Sequence, residues 1–232
     1  MTTATPRPGH DDFGGDDVLG ELAAEVGAFA GDPLVAAPVS DRAEEPDPHA
    51  GHDHGPTADV SVRPAIPEDA ALVTSVQLQA WQRRGLVAAA QLAAIDTAAV
   101  RARWLEGISK PPSAQHRVLA ACDGSLVVGF AAYAPAAAVE LPAAGPVTDA
   151  VEILALEVVA DHTRHGHGSR LLAACVDLAT DAGAGTLLTW ATDDDDPRTR
   201  FLHSAGFAPG GLRRELPTPG GTIVEHCWYT RV

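Results

Sequence analysis

The stretch that most limits what this chain can fold into is VEILALEVVADHTRHGHGSRLLAACVDLA, residues 151–179. Its first nine residues are apolar except for Glu152 and Glu157, the signature of a strand covered on both faces. They run into a turn containing Arg164, His165, Gly166, His167 and Gly168. From Ser169 a helix follows, with Leu171, Leu172, Cys175, Leu178 and Ala179 at helical spacing. The first amides of a helix lack intrahelical partners and carry the positive end of its dipole. Glycines let a large anion reach those amides, and Arg164 with two histidines adds positive character. Such a turn suits a phosphate or pyrophosphate. The dinucleotide fingerprint GxGxxG fails, because Leu171 stands at its third glycine, and the Gly-Lys-Ser/Thr phosphate loop fails for want of a lysine.

The rest of the chain can be arranged around this unit. DVSVRPA from Asp59 is a short strand, and 67–84 is a helix started by Pro67 with Glu68 and Asp69 in its first turn. A second helix is expected over 88–106, stopped by Lys110-Pro111-Pro112. Two strands joined by Asp123-Gly124 form a hairpin, and 134–149, with three prolines, reads as a loop. After the strand at 151–159 come a helix at 169–182, the strand TLLTWAT, a helix at 197–205, and two strands around PTPGG. The order β-α-α-β-β-β-α-β-α-β-β predicts an α/β (α+β) domain over 59–232, a mixed sheet with helices on both faces.

Charge separates this domain from what precedes it. The chain has 232 residues and a net charge of −15. Residues 1–58 hold 12 acids against Arg7 and Arg42, a net of −10. With dense proline and glycine they read as a mostly disordered tail, interrupted by an amphipathic helix at 16–30. His49, His52 and His54 could meet a metal, but nothing nearby would orient them, so no metal site is assigned. The acidic balance argues against a nucleic-acid partner. No apolar run is long enough to cross a membrane, and the N-terminus lacks the pattern of a secretory signal. Cys122, Cys175 and Cys227 show no CxxC spacing, which points to a reducing, cytoplasmic setting.

The residues VVADHTRHGHGSRLL resemble the acetyl-CoA loop of the GNAT acyltransferase superfamily, Q/R-x-x-G-x-G/A, and FLHSAGF at 201–207 resembles that family's second signature. The resemblance spans about 59–232 and implies a mostly antiparallel GNAT-like sheet. It also implies acetyl-CoA as co-substrate, with its pyrophosphate on the amides of Thr163, Arg164, His165, Gly166, His167, Gly168 and Ser169. The pantetheine arm would pair with the backbone of Val158 and Val159, with Asp195 close to it. The family's Q/R position is Thr163 here, so one phosphate contact would fall to Thr163 or Arg164. Its usual proton-donating tyrosine falls on Leu202, which leaves the general acid open: water could protonate the departing thiolate, and Tyr229 is a remote candidate.

Acetyl transfer requires an amine to lose a proton and attack a thioester. Glu152 aligns with the general base of the histone-acetylating branch. Glu157 is the second candidate, on the opposite strand parity unless a bulge intervenes. Pairing with an arginine such as Arg117 or Arg213 is the bland alternative for either carboxylate. Trp81, Arg83 and Arg84 close the first helix, where family members shape the acceptor pocket. Four acids at 193–196 precede Pro197, with Asp196 the expected helix cap. The resulting expectation is an N-acetyltransferase acting on a primary amine of a small molecule or peptide, with no metal. Pairing of edge strands would give a homodimer. The alternatives are a CoA-binding regulatory module on the same fold, or an interaction protein acting through its acidic tail.

Overall fold

The computed structural model describes residues 60–86, 89–192, 195–218 and 221–232. The acidic tail, its expected helix at 16–30 and its histidines lie outside the described residues. The strands in chain order are β1 (Val60–Pro64), β2 (Arg117–Asp123), β3 (Leu126–Pro135), β4 (Val139–Leu141), β5 (Gly145–Val147), β6 (Ala150–Val158), β7 (Thr186–Thr192), β8 (Ala208–Thr218) and β9 (Gly221–Arg231). The helices are α1 (Ala70–Arg83), α2 (Ala89–Ala94), α3 (Thr97–Ser109), α4 (His167–Asp181) and α5 (Asp196–Ser204). Short 3-10 turns at Pro67–Asp69 and Ala160–His162 lead toward α1 and α4.

Seven strands form one sheet in the order β1-β2-β3-β6-β7-β9-β8. Every pairing in it is antiparallel except β6 with β7. Helix α4 lays Leu171, Leu172, Cys175 and Ala179 on one face, against Leu119, Ala131, Ile153 and Leu187. On the opposite face Val73 and Val76 of α1 and Trp104 of α3 meet Val118, Phe130 and Ala132. The Trp104 indole packs edge-on to Phe130 and donates to Gln77 Oε1 at 2.7 Å, so its one polar atom is satisfied inside the core. Among the described residues, no helix is long and apolar enough to cross a membrane.

Two segments depart from the sequence reading. The helix expected over 88–106 is broken at Ile95–Asp96, where the Asp96 carboxylate accepts from the N–H groups of Ala98 and Ala99 at 3.0 Å each. A cap that takes two orphan donors starts a new helix more effectively than propensity sustains the old one. The supposed loop at 134–149 contains the β4–β5 hairpin, which packs Leu141 and Val147 on Leu188 and Cys227. Its prolines do not prevent this, since such a short ladder demands few N–H donors.

Candidate active site

Strands β6 and β7 are paired only from Ala150–Ile153 against Thr186–Thr189. Thr189 Oγ1 donates to the Ile153 carbonyl at 3.0 Å near the end of this ladder. Beyond it β6 continues to Val158 with β3 as its strand partner; its other edge has no strand beside it, and the Leu156 and Val158 carbonyls accept long contacts from Arg198 and Arg83, 3.4 Å each. A bulge lies at the same level. Ala132 faces Ala155 while Tyr133 faces Ile153, so Leu154 has no cross-strand counterpart. A bulge reverses side-chain parity. Val151, Ile153, Leu156 and Val158 therefore all join the core under α4, while Ala155 and Glu157 face the α1 side with Glu152.

The turn after β6 is built for an anion. Gly166 caps α4 at φ +85°, a conformation that costs a side-chain-bearing residue about 1–2 kcal/mol. Arg164 also stands in the left-handed region, at φ +66°. Among the described residues the N–H groups of 164–169 take no hydrogen-bond acceptor; the first paired amide is that of Arg170, bonded to the Gly166 carbonyl at 3.0 Å. A Cβ on Gly166 would fall 2.5 Å from the Arg170 guanidinium, which lies over the turn. Arg164, His165, Ser169 and Arg170 are exposed around it.

A cleft opens beside the bulge, between the C-terminal end of α1, the separated strands and the β8–β9 hairpin. The Glu157 side chain, 6% exposed, lies at its wall with Arg84 at 2.9 Å, Arg198 at 3.4 Å and Arg83 at 3.8 Å. Toward β9, Arg214 binds Glu225 through Nε at 2.7 Å and Nη2 at 2.6 Å, and lies 3.6 Å from Glu152. Its guanidinium stacks on Trp190, 4.5 Å from the ring centre. Burial raises the Glu152 carboxyl above the ordinary glutamate range, with Arg214 and the nearby Trp190 indole opposing the shift and Glu225 adding to it. A carboxylate made more basic in this way is a better proton acceptor than an ordinary glutamate.

Several expected roles change. Val159 is used on both sides, its N–H donating to the Val128 carbonyl at 2.9 Å and its carbonyl accepting from His162 at 3.0 Å. The open edge lies upstream, at 154–158. His167 places no charge at the surface: its ring is 1% exposed, both ring nitrogens lack hydrogen bonds among the described residues, and burial lowers its pKa. The Thr163 hydroxyl donates to the Ala160 carbonyl at 2.8 Å. Asp195, not Asp196, caps α5, accepting from the Arg198 N–H at 3.1 Å.

Both candidate bases are ion-paired, with partners other than Arg117 and Arg213. Trp81 is buried and also lines the cleft, beside Arg84. Leu202 is buried, and no tyrosine lines the cleft among the described residues. Sequence reading missed Arg170, Arg198, Arg214, Trp190 and Glu225. Arg170 was legible, four residues after Gly166 and so facing the same helix end. The others meet only through strand order.

The acetyltransferase (GNAT) family model matches residues 76–207, more than half of the chain. The chain belongs to this family and is an acyltransferase. The structure of ribosomal-protein-alanine N-acetyltransferase from Brucella melitensis is similar, with TM-score 0.58 and 20% identity over 74% of this chain and 99% of that one. A GCN5-related N-acetyltransferase from Rhodopseudomonas palustris gives 0.55 and 21%, covering 77% and 99%. The PaiA N-acetyltransferase from Thermoplasma acidophilum, solved in complex with coenzyme A, gives 0.54 and 14%, covering 75% and 99%. At these identities the likeness is one of fold. No curated protein matches the chain significantly.

Proposed function

We infer that this chain transfers an acetyl group from acetyl-CoA to a primary amine by direct attack. One observation carries the reading: the open edge of β6 and the unpaired amides of 164–169 belong to one continuous segment. A ligand with a peptide-like arm and a pyrophosphate can lie along both. The pyrophosphate would sit on the amides of 164–169, with Arg164, His165 and Arg170 at the rim. The arm would follow the backbone of 154–158, which brings the thioester to the cleft lined by Arg214, the ion-pair partner of Glu152.

In the reaction the amine nitrogen attacks the thioester carbonyl carbon and the C–S bond breaks. The amine gives its proton to Glu152, directly or through water, and the thiolate takes one from water, a tolerable course for a thiol leaving group. Glu157 serves by position, holding Arg84 and Arg198 at the mouth of the open edge. A cytoplasmic setting accords with three free, buried thiols.

The test is calorimetric titration of acetyl-CoA into the full chain and into Gly166→Glu, followed by thiol-release assays with amines. Binding by the natural chain and its loss in the variant are expected. Equal binding by both would overturn the reading, since a carboxylate in the turn cannot share it with a pyrophosphate.

A further inference from the structure

Acetyl transfer needs a base and an open strand edge, but it does not need the uneven charges of the cleft walls. At one wall, among the described residues, Glu157 pairs with three guanidinium groups, those of Arg83, Arg84 and Arg198. At the other, the Arg214 guanidinium binds Glu225, which lines the cleft, and lies 3.6 Å from Glu152 behind it. Among the described ion pairs, guanidinium groups outnumber carboxylates around Glu157, and carboxylates outnumber guanidinium groups around Arg214.

Arg198 is the least satisfied of these groups. Its side chain is 13% exposed, and its guanidinium contacts are two long ones from Nη1, at 3.4 Å to the Leu156 carbonyl and 3.4 Å to Glu157. Among the described residues its Nε has no partner, and neither does the Nε of Arg84. Burial lowers the Arg198 pKa, and Arg84 adds to this, while Glu157, Asp195 and Glu225 push it back. A guanidinium removed from water and incompletely paired is costly unless an anion completes it. A planar fork that still has free N–H groups matches a carboxylate.

We propose that the acceptor is a small amine that also carries a carboxylate, of the free amino acid class. Its carboxylate is held by Arg198 and Arg84, and its ammonium is drawn to the Glu152 and Glu225 wall before it loses a proton. This assignment rests on the acetyl-transfer reading and narrows it.

The test uses the full chain with saturating acetyl-CoA and the common amino acids, each paired with its own α-amide, in a thiol-release assay. At least one acid should exceed its amide about tenfold or more in kcat/KM, the value of a charge-assisted hydrogen-bond pair. Arg198→Gln should reduce that acid-to-amide ratio to about one by raising KM for the acid, and Arg198→Lys should leave an intermediate ratio. Because the ratio is read within each variant, losses of folding or of CoA affinity cancel. Amides used as well as acids by the natural chain, or a ratio unchanged in both variants, would overturn the proposal. Binding of acetyl-CoA with acetylation of none of the acids would overturn it while leaving acetyl transfer standing. Failure to bind acetyl-CoA would overturn both.

Discussion

Glu157→Gln separates a carboxylate that holds structure from one that moves a proton. The substitution keeps the shape of the side chain but removes the counter-charge of Arg83, Arg84 and Arg198. Breaking a buried pair by deleting one partner costs about 3–5 kcal/mol. Arg83 is 41% exposed and can turn to water, whereas Arg84 at 19% and Arg198 at 13% cannot do so fully. The lower end of that range, about 3 kcal/mol, is therefore expected. For a domain of this size it corresponds to a fall in Tm of roughly 6–12 °C. Thermal unfolding followed by circular dichroism measures this, with kcat determined at a temperature where the variant is folded. Activity should survive in part, because the base is elsewhere. A Tm within about 2 °C of the natural chain, combined with loss of turnover, would refute the reasoning and make Glu157 the proton acceptor.

Glu152→Gln should do the reverse, abolishing most turnover while leaving stability at neutral pH unchanged or slightly higher. With its folded-state pKa raised, Glu152 binds its proton more tightly in the native than in the unfolded chain. Its contribution to stability therefore grows as pH falls through the range above the ordinary glutamate value, and the variant should lose that dependence in urea titrations across pH. The same shift places the acidic limb of kcat/KM above where an ordinary glutamate would put it. Gly166→Ala should weaken acetyl-CoA binding on the order of tenfold through about 1–2 kcal/mol of left-handed strain. Gly168→Ala should keep the natural Tm in thermal unfolding, because its Cβ would lie 3.8 Å from Phe201, an ordinary contact. Asp96→Ala, which removes the cap of α3, should cost about 1 kcal/mol in denaturant unfolding without changing turnover.

The strand–turn–helix unit was legible because its determinants are local. An apolar run, glycines at a helix start and a helical stripe each act within a few residues. The hairpin at Asp123-Gly124 and the element order were readable for the same reason. The break at Asp96 was legible in kind but was outvoted by the apolar spacing on either side of it. The β4–β5 hairpin was not readable, since strands of three residues exist only through what they pack against.

The sequence by itself determined the family, the sheet with helices on both faces, and the turn whose amides face outward. All of these follow from local pattern and backbone chemistry. Tertiary structure alone decided where the two carboxylates sit and which arginines they meet. A bulge opposite Ala132 and Tyr133 put Glu152 and Glu157 on one face, a parity that no count along the strand can supply. The order β6-β7-β9-β8 then brought Arg214 and Glu225 to Glu152, while α1 and α5 brought Arg83, Arg84 and Arg198 to Glu157. Charges distant in the chain acquire their strength only where folding has removed the water between them.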